Sequence, residues 1–595
     1  MEQLGQEDPQ SFKRLIWAMI LMAVVFGGST YFMRSKAPPA APVQGGQATK
    51  GVSAQGAAGP QASAQTPQAA LAAPEANPVP VQGEKEETFT LENDDLRLVF
   101  GNKGGILRSA VLKKYRAKGG PNDDLVSPLS AVTGAYPLAV RTGDGVFDKA
   151  VSEALFHVEH IPGLQGADGL RMSWADGKGN AVTKTVTLPA SGYELGLQVS
   201  ALKGGRALES VPLTWGAGLG TLTEAEAKNK YFQQEFLAVV TPEGYKKVDR
   251  DRKVGSAKPE SATTFPGGDA WAGLSTGYFA AIFIPDRPLT GVTLETFALT
   301  PEERKIHPSD SSVSLIVGFP GEGKVFIGPK EYGRLRDMGD SFYRILDWGS
   351  YGFSNAILNP ICAALLWGLK GLHGLVGNYG VAILLLTLII KLAFYPLTQR
   401  SMVKMKEMGE GMKKLKPQLD RIKAKYKKLP KDMANRAKLN EEMMGLYQRE
   451  GINPLGGMSG CLPLLLQMPI FFALFTLLPK TLELRGAPFF GWIHDLSMQD
   501  PYYVTPILMG LSMFASTKMT SSTGMEGSQK MLLYFMPVMF TWICLWAPAG
   551  LTLYWLANNL LTMGQQAIIN RQVQARQEAA AKGRKSTPKG PSRPS

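Results

Sequence analysis

Residues 379–400 read YGVAILLLTLIIKLAFYPLTQR, and this stretch decides the fold class. The apolar part, 379–398, is long enough to cross a bilayer as one helix. A single lysine, Lys391, sits inside it, and the first basic residue after the run is Arg400. At 1.5 Å per residue, roughly 12–14 Å of helix separates the two. An ammonium at that depth costs on the order of 3 kcal/mol on insertion scales. Two readings of Lys391 stand at this point. Its stem, reaching about 6 Å, can snorkel toward the interface; or the charge faces a water-filled cavity inside a helical bundle. Thr387, Lys391, Tyr395 and Thr398 share one helical face, which is the pattern a polar cavity needs.

Four more apolar stretches follow, near 459–479, 502–519, 531–548 and 550–568. The last carries a second polar stripe, Tyr554, Asn558, Thr562 and Gln565, and the first of the four carries Gln467. Amides facing lipid are costly, so these side chains are expected to point into the bundle, as site residues or as interhelical glue. The loop 400–453 holds about 15 basic residues and the tail 569–595 about seven, whereas 480–501 holds only Lys480 and Arg485. The positive-inside rule then puts 400–453 and the tail in the cytoplasm and 480–501 outside. Within 400–453, Met405, Met412, Leu415, Leu419, Ile422 and Tyr426 recur at mostly helical spacing, and Leu439, Met443 and Leu446 continue after a turn at Pro430. This predicts a helical hairpin, bent at Pro417, whose Lys413, Lys414, Lys416, Arg421 and Lys423 are either a solvated face and topology signal or a docking surface for an acidic partner. Residues 341–378, amphipathic over 353–377, read as an interfacial helix.

Upstream, 1–36 contains an apolar run at 15–33 and reads as an uncleaved membrane anchor. Residues 37–84, rich in Ala, Pro, Gln and Gly, read as a disordered linker. Residues 85–340 read as an all-β sandwich, with candidate strands at Phe89–Phe100, Ala181–Leu188, Tyr193–Leu202, Phe279–Pro285 and Val313–Phe319. Asp94 and Asp95 within it read as surface residues. With the anchor, the chain is expected to cross the membrane six times, both termini inside and the β domain in the periplasm of a two-membrane cell.

Composition excludes several classes. The net charge is +14, but the basic residues border apolar runs, which fits membrane topology better than nucleic-acid binding. The three cysteines, Cys362, Cys461 and Cys544, all lie in apolar segments, so the β domain is not a disulfide scaffold. The five histidines are scattered, no metal-ligand spacing occurs, and no cofactor or enzymatic activity is expected. Lys391 has no carboxylate on its stripe, which argues against a proton relay and for a site that attracts negative charge. The competing class is a secondary transporter using Lys391 as an anion site, but no internal repeat is visible.

The runs YPLTQRSMVKMKEM, INPLGG, CLPLLLQMPIFFALF, ELRGAPFFGWIHDLSMQDPYYVTPILMG and MPVMFTWICLWAPAGLTLYWLANNL resemble the YidC–Oxa–Alb membrane insertases over 341–570. The order of anchor, linker and β domain resembles the Gram-negative YidC subtype. The resemblance implies a five-helix core over 379–568 with a hydrophilic groove open to the cytoplasm, and a periplasmic β-supersandwich. It also implies that the protein inserts and folds inner-membrane proteins, alone or beside the SecYEG translocon, without a nucleotide. Nascent membrane proteins and the lipid bilayer are the implied partners, with the ribosome and signal-recognition machinery reached through the hairpin and tail. Lys391 matches the groove's basic position, and Thr387 and Tyr554 or Trp555 match groove positions. Met468, Pro469 and Phe471, with Ile543, match the apolar slide. Two departures stand out. Lysine replaces the family's usual arginine, keeping the charge but not the bidentate fork. Met458–Gly460 also lengthens the loop before the second span of the core.

Overall fold

The computed structural model describes residues 78–116, 120–162, 168–220, 223, 226, 235–249, 261–306, 311–339, 341–348, 355–427, 433–450, 462–520 and 527–586. The expected anchor, most of the linker and the Met458–Gly460 insertion lie outside these residues.

The β region forms three antiparallel sheets among the described residues. The first pairs Thr88–Glu92, Leu96–Gly101, Ile106–Arg116 and Asn122–Asp124 in chain order. The second places Val211–Trp215 beside Ser311–Phe319, then Val292–Ala298 and Ser261–Phe265. The third and largest runs from Gly244–Asp249 through Phe236–Thr241, Trp271–Ser275, Phe279–Pro285, Glu322–Pro329, Glu194–Lys203, Ala181–Leu188 and Asp168–Ala175 to His157–Pro162. Ala181–Leu188 shows the reason: Val182, Lys184, Val186 and Leu188 alternate inward on one face. Lys184 is fully buried there, and its Nζ donates to the carbonyls of Gly104, Gly105 and Leu138 at 3.1, 2.8 and 2.8 Å. Burial pushes this ammonium down to about 7, while the three acceptors match its three N–H groups.

Two expectations for this region are corrected. Phe89–Phe100 is a hairpin rather than one strand. Asn93 Oδ1 accepts the backbone N–H groups of Asp95 and Leu96 at 2.8 and 2.7 Å, turning the chain through its side chain. Asp95 is buried rather than superficial. It pairs with Lys114 at 2.6 Å and accepts the Gly192 N–H at 2.7 Å, while Asp94 stays exposed.

From residue 355 the chain is helical. We number the helices α1 (Asn355–Val376), α2 (Tyr379–Lys427), α3 (Met433–Arg449), α4 (Leu462–Lys480), α5 (Val504–Thr520), α6 (Gly527–Cys544) and α7 (Ala549–Ser586). The stretches read as core spans overlap α2, α4, α5, α6 and α7, although 502–503 precede α5, 545–548 lie beyond α6, and 459–461 lie outside the described residues. Among the described residues, one window, Tyr379–Pro396, is both long and apolar enough to cross a membrane by length and composition. α2 continues without a break through Pro396 and Pro417 into the basic segment, and α7 continues past 568 into the tail. α2 and α3 pack along a seam that buries Leu415, Leu419 and Tyr447, with Met412, Met443 and Leu446 against them; the expected turn at Pro430 lies outside the described residues.

One contiguous apolar core joins the two regions. It runs from the sheets through Leu335, Ile345 and Trp348 to Leu358 and Cys362 of α1, and on to Leu474, Leu477 and Leu496. The β domain is therefore seated on the helices by packing.

The Asn93 turn gives a direct test. Its side chain also donates to the carbonyls of Pro189 and Gly192 at 2.8 and 3.1 Å. Asn93→Ala strips four polar groups of their partner and is expected to cost about 2–3 kcal/mol. Thermal unfolding of the purified chain, followed by its sheet signal, should show a midpoint several degrees lower.

Candidate functional site

α2, α4 and α7 bring their polar faces to one cleft. Thr387, Ile390, Lys391, Phe394 and Thr398 of α2 line it, with Gln467 and Ile470 of α4 and Tyr554 and Asn558 of α7. The cleft is narrow, with a cavity volume of about 20 Å³. Helical periodicity explains the convergence: α2 places a polar side chain on the same face at each of Thr387, Lys391 and Thr398.

Lys391 is half-buried, and its Nζ donates to Thr562 Oγ1 at 2.9 Å. The Thr562 hydroxyl in turn donates to the carbonyl of Asn558 at 2.6 Å, leaving its lone pairs to the ammonium. Among the described residues no carboxylate lies within ion-pair distance of Lys391. One of its three N–H groups is engaged, and the others face a cleft lined by amides, hydroxyls and apolar groups. Gln467 Nε2 donates to Asn558 Oδ1 at 2.8 Å and approaches the Tyr554 hydroxyl at 3.4 Å, tying α4 to α7. Thr387 satisfies itself by donating to the carbonyl of Ile383 at 2.7 Å.

The polar contacts continue along α2 and α7 beyond the cleft. Gln565 Nε2 donates to Thr398 Oγ1 at 3.1 Å, Gln399 Nε2 to Gln572 Oε1 at 2.9 Å, and Arg576 pairs with Glu407 at 3.3 Å. The two long helices are thus fastened from Lys391 toward the hairpin.

Sequence-expected residues separate into groups. Thr387, Lys391, Gln467, Tyr554 and Asn558 line the cleft, and Thr562 holds Lys391. Trp555 turns away from it. Its ring stacks on Phe471 at 4.9 Å and meets Phe540 edge-on at 4.3 Å, so it belongs with the apolar surface of α4 and α6. Met468, Pro469 and Phe471 are half-buried on α4, and Ile543 is exposed on α6 beside exposed Trp542. On the hairpin, Lys414, Lys416 and Arg421 are exposed and Lys423 is half-buried; the side chain of Lys413 lies outside the described residues. Cys362 and Cys544 are buried thiols. Among the described residues no His, Cys, Asp and Glu cluster could hold a metal ion.

Sequence reasoning missed Gly510 and Arg485. A Cβ on Gly510 would collide with Thr541, so this glycine sets how closely α5 and α6 approach. By sequence Arg485 is one of two basic residues in the short loop 480–501. It is buried, with Asp123 Oδ2 at 2.7 Å and Glu226 Oε1 at 2.8 Å.

An apolar helical bundle carrying a large antiparallel β domain is the architectural class these residues define. Residues 88–362 match the family described as YidC periplasmic domain, and 371–577 match the family described as 60Kd inner membrane protein. A "Membrane protein insertase YidC" of Syntrophus aciditrophicus is 33% identical over 94% of this chain and 99% of its own length. One of Geobacter sulfurreducens is 34% identical over 80% of this chain and 85% of its own. A solved structure described as an active YidC insertase with its first transmembrane domain resolved covers 83% of this chain and 94% of its own, at 18% identity and a TM-score of 0.31. The chain belongs to the YidC family of membrane protein insertases, inner-membrane proteins with a periplasmic domain.

Thr562 can be tested as the holder of Lys391. Thr562→Val keeps the shape and removes the acceptor of a charged hydrogen bond, worth about 1.5–3 kcal/mol. The thermal midpoint of the helical signal in lipid nanodiscs should fall by a few degrees, and Thr562→Ser should retain it.

Proposed function

We propose that this chain inserts and helps fold integral inner-membrane proteins by holding a polar or acidic stretch of substrate in the Lys391 cleft while apolar segments leave along α4 and α6. The observation that carries this reading is an ammonium with a hydroxyl acceptor and no counter-charge among the described residues. A permanent carboxylate partner would neutralise the charge; its absence leaves the field free to attract a passing one. Amides on Gln467 and Asn558 offer both donors and acceptors to a backbone that lacks secondary structure. The exposed apolar side chains of α6, Phe535, Val538, Trp542 and Ile543, suit the slide, together with Met468, Pro469 and Phe471.

In this reading the hairpin and tail lie in the cytoplasm and the cleft opens toward them, with six spans and both termini inside. The exposed basic side chains of α2 offer a docking face to the ribosome and the signal-recognition machinery. Insertion proceeds alone or beside the SecYEG translocon. The protein uses no cofactor and acts as a chaperone rather than an enzyme.

The test is depletion of the native protein followed by protease accessibility of a short two-span substrate. Lys391→Ala is expected to reduce insertion several-fold for substrates with charged translocated regions and to spare those without. Lys391→Arg should be tolerated, because the charge remains. Normal insertion of charged substrates by Lys391→Ala would overturn the cleft reading.

A further inference from the structure

The six residues Lys480–Arg485, KTLELR, begin at the last residue of α4. Each charged residue in the stretch is paired with a different part of the molecule. Lys480 lies 3.6 Å from Asp347 Oδ2, at the end of the chain leaving the β domain. Glu483 pairs with Lys370 of α1 at 2.8 Å. Arg485 is held by two carboxylates of the β domain: both its terminal nitrogens reach Asp123, at 2.7 and 3.3 Å, and its Nε reaches Glu226 at 2.8 Å. The side chains of Arg485, Asp123 and Glu226 are only 9%, 5% and 6% exposed. The guanidinium also lies over the rings of Tyr278 and Phe279, at 5.2 and 5.1 Å. Between the charges, Leu482 and Leu484 are buried.

We infer that Arg485 is a positioning residue for insertion: clamped by Asp123 and Glu226, it locks the periplasmic domain onto the outer end of α4 and so fixes where Gln467 stands in the cleft. The inference rests on the insertase reading. α4 is continuous through Pro469 and Pro479, with roughly 20 Å between Gln467 and Lys480, so a shift at its outer end bears on the contact of Gln467 with Asn558. The burial makes the lock strict. An arginine with both carboxylates satisfies its planar fork, whereas removal of either side strands charge in a dry interface.

The prediction concerns which variants fail and which recover. In the full-length chain, Asp123→Asn with Glu226→Gln leaves the guanidinium unpaired. It should reduce insertion of a two-span reporter several-fold and render the bond after Arg485 cleavable by trypsin added from the periplasmic side. Arg485→Met should reduce insertion similarly. Combining all three substitutions removes every stranded charge and should recover most of the insertion. Arg485→Lys, which keeps the charge but not the fork, should accumulate normally and insert at an intermediate rate. Wild-type insertion by the carboxylate variant would overturn the inference, as would a triple variant as impaired as the carboxylate variant, or Arg485→Lys at the wild-type rate. Failure of the cleft reading is separate: it would appear as normal insertion by Lys391→Ala, whatever the Arg485 variants do.

Discussion

One charge without a carboxylate partner among the described residues organises the helical core. Placing Lys391 in an apolar helix costs on the order of 3 kcal/mol, and the surrounding structure reduces that cost without neutralising the charge. Thr562 accepts one hydrogen bond, itself held by donating to its own helix. Gln467 and Asn558 bond each other and keep a polar wall opposite. Every one of these groups must come from a different turn of three helices, so the packing of α2, α4 and α7 is constrained by a single ammonium. A bundle selected only for stability would replace it with leucine.

The constraint extends away from the cleft in both directions. Toward the hairpin, α2 and α7 are continuous helices fastened by Thr398–Gln565, Gln399–Gln572 and Glu407–Arg576. Lys391 and the basic segment are therefore joined by continuous helix rather than by a loop. Toward the β domain, α4 ends in a segment whose charges are tied to α1 and to two parts of the β domain. The β domain is more than an appendage, since its apolar core is continuous with that of the helices.

Much of the site was legible because helical geometry is simple. Thr387, Lys391 and Thr398, and Tyr554 and Asn558, share faces by spacing alone, and polar residues in apolar helices have few places to go. Trp555 could not be sorted from Tyr554 by that logic, because adjacent helical residues diverge by about 100° and the sequence does not say which is turned inward. The β domain was legible in outline through alternation, as in Ala181–Leu188. Its details depended on side chains acting as backbone: Asn93 breaks an apparently continuous strand, and the signal, Asn-Asp-Asp between two β-branched or aromatic runs, was present. Asp95 reads as a surface residue, and little local marks Arg485 as buried, for a common reason. Charge in a short loop reads as exposure, and only distant partners, Gly192 and Lys114 for one and Asp123 and Glu226 for the other, make burial possible. Alternation of charge with leucine in KTLELR was the one local hint.

The central claim is that substrate passes through the Lys391 cleft and out along α4 and α6. Site-specific photo-crosslinking to a ribosome-stalled nascent membrane protein measures this most directly, with the probe at Met468 beside the cleft, at Ile543 on α6, and at exposed Trp367 on α1 as the reference. The account requires strong adducts from 468 and 543, appearing as the first apolar segment emerges, and weak ones from 367. Adducts from 367 without any from 468 or 543 would contradict it.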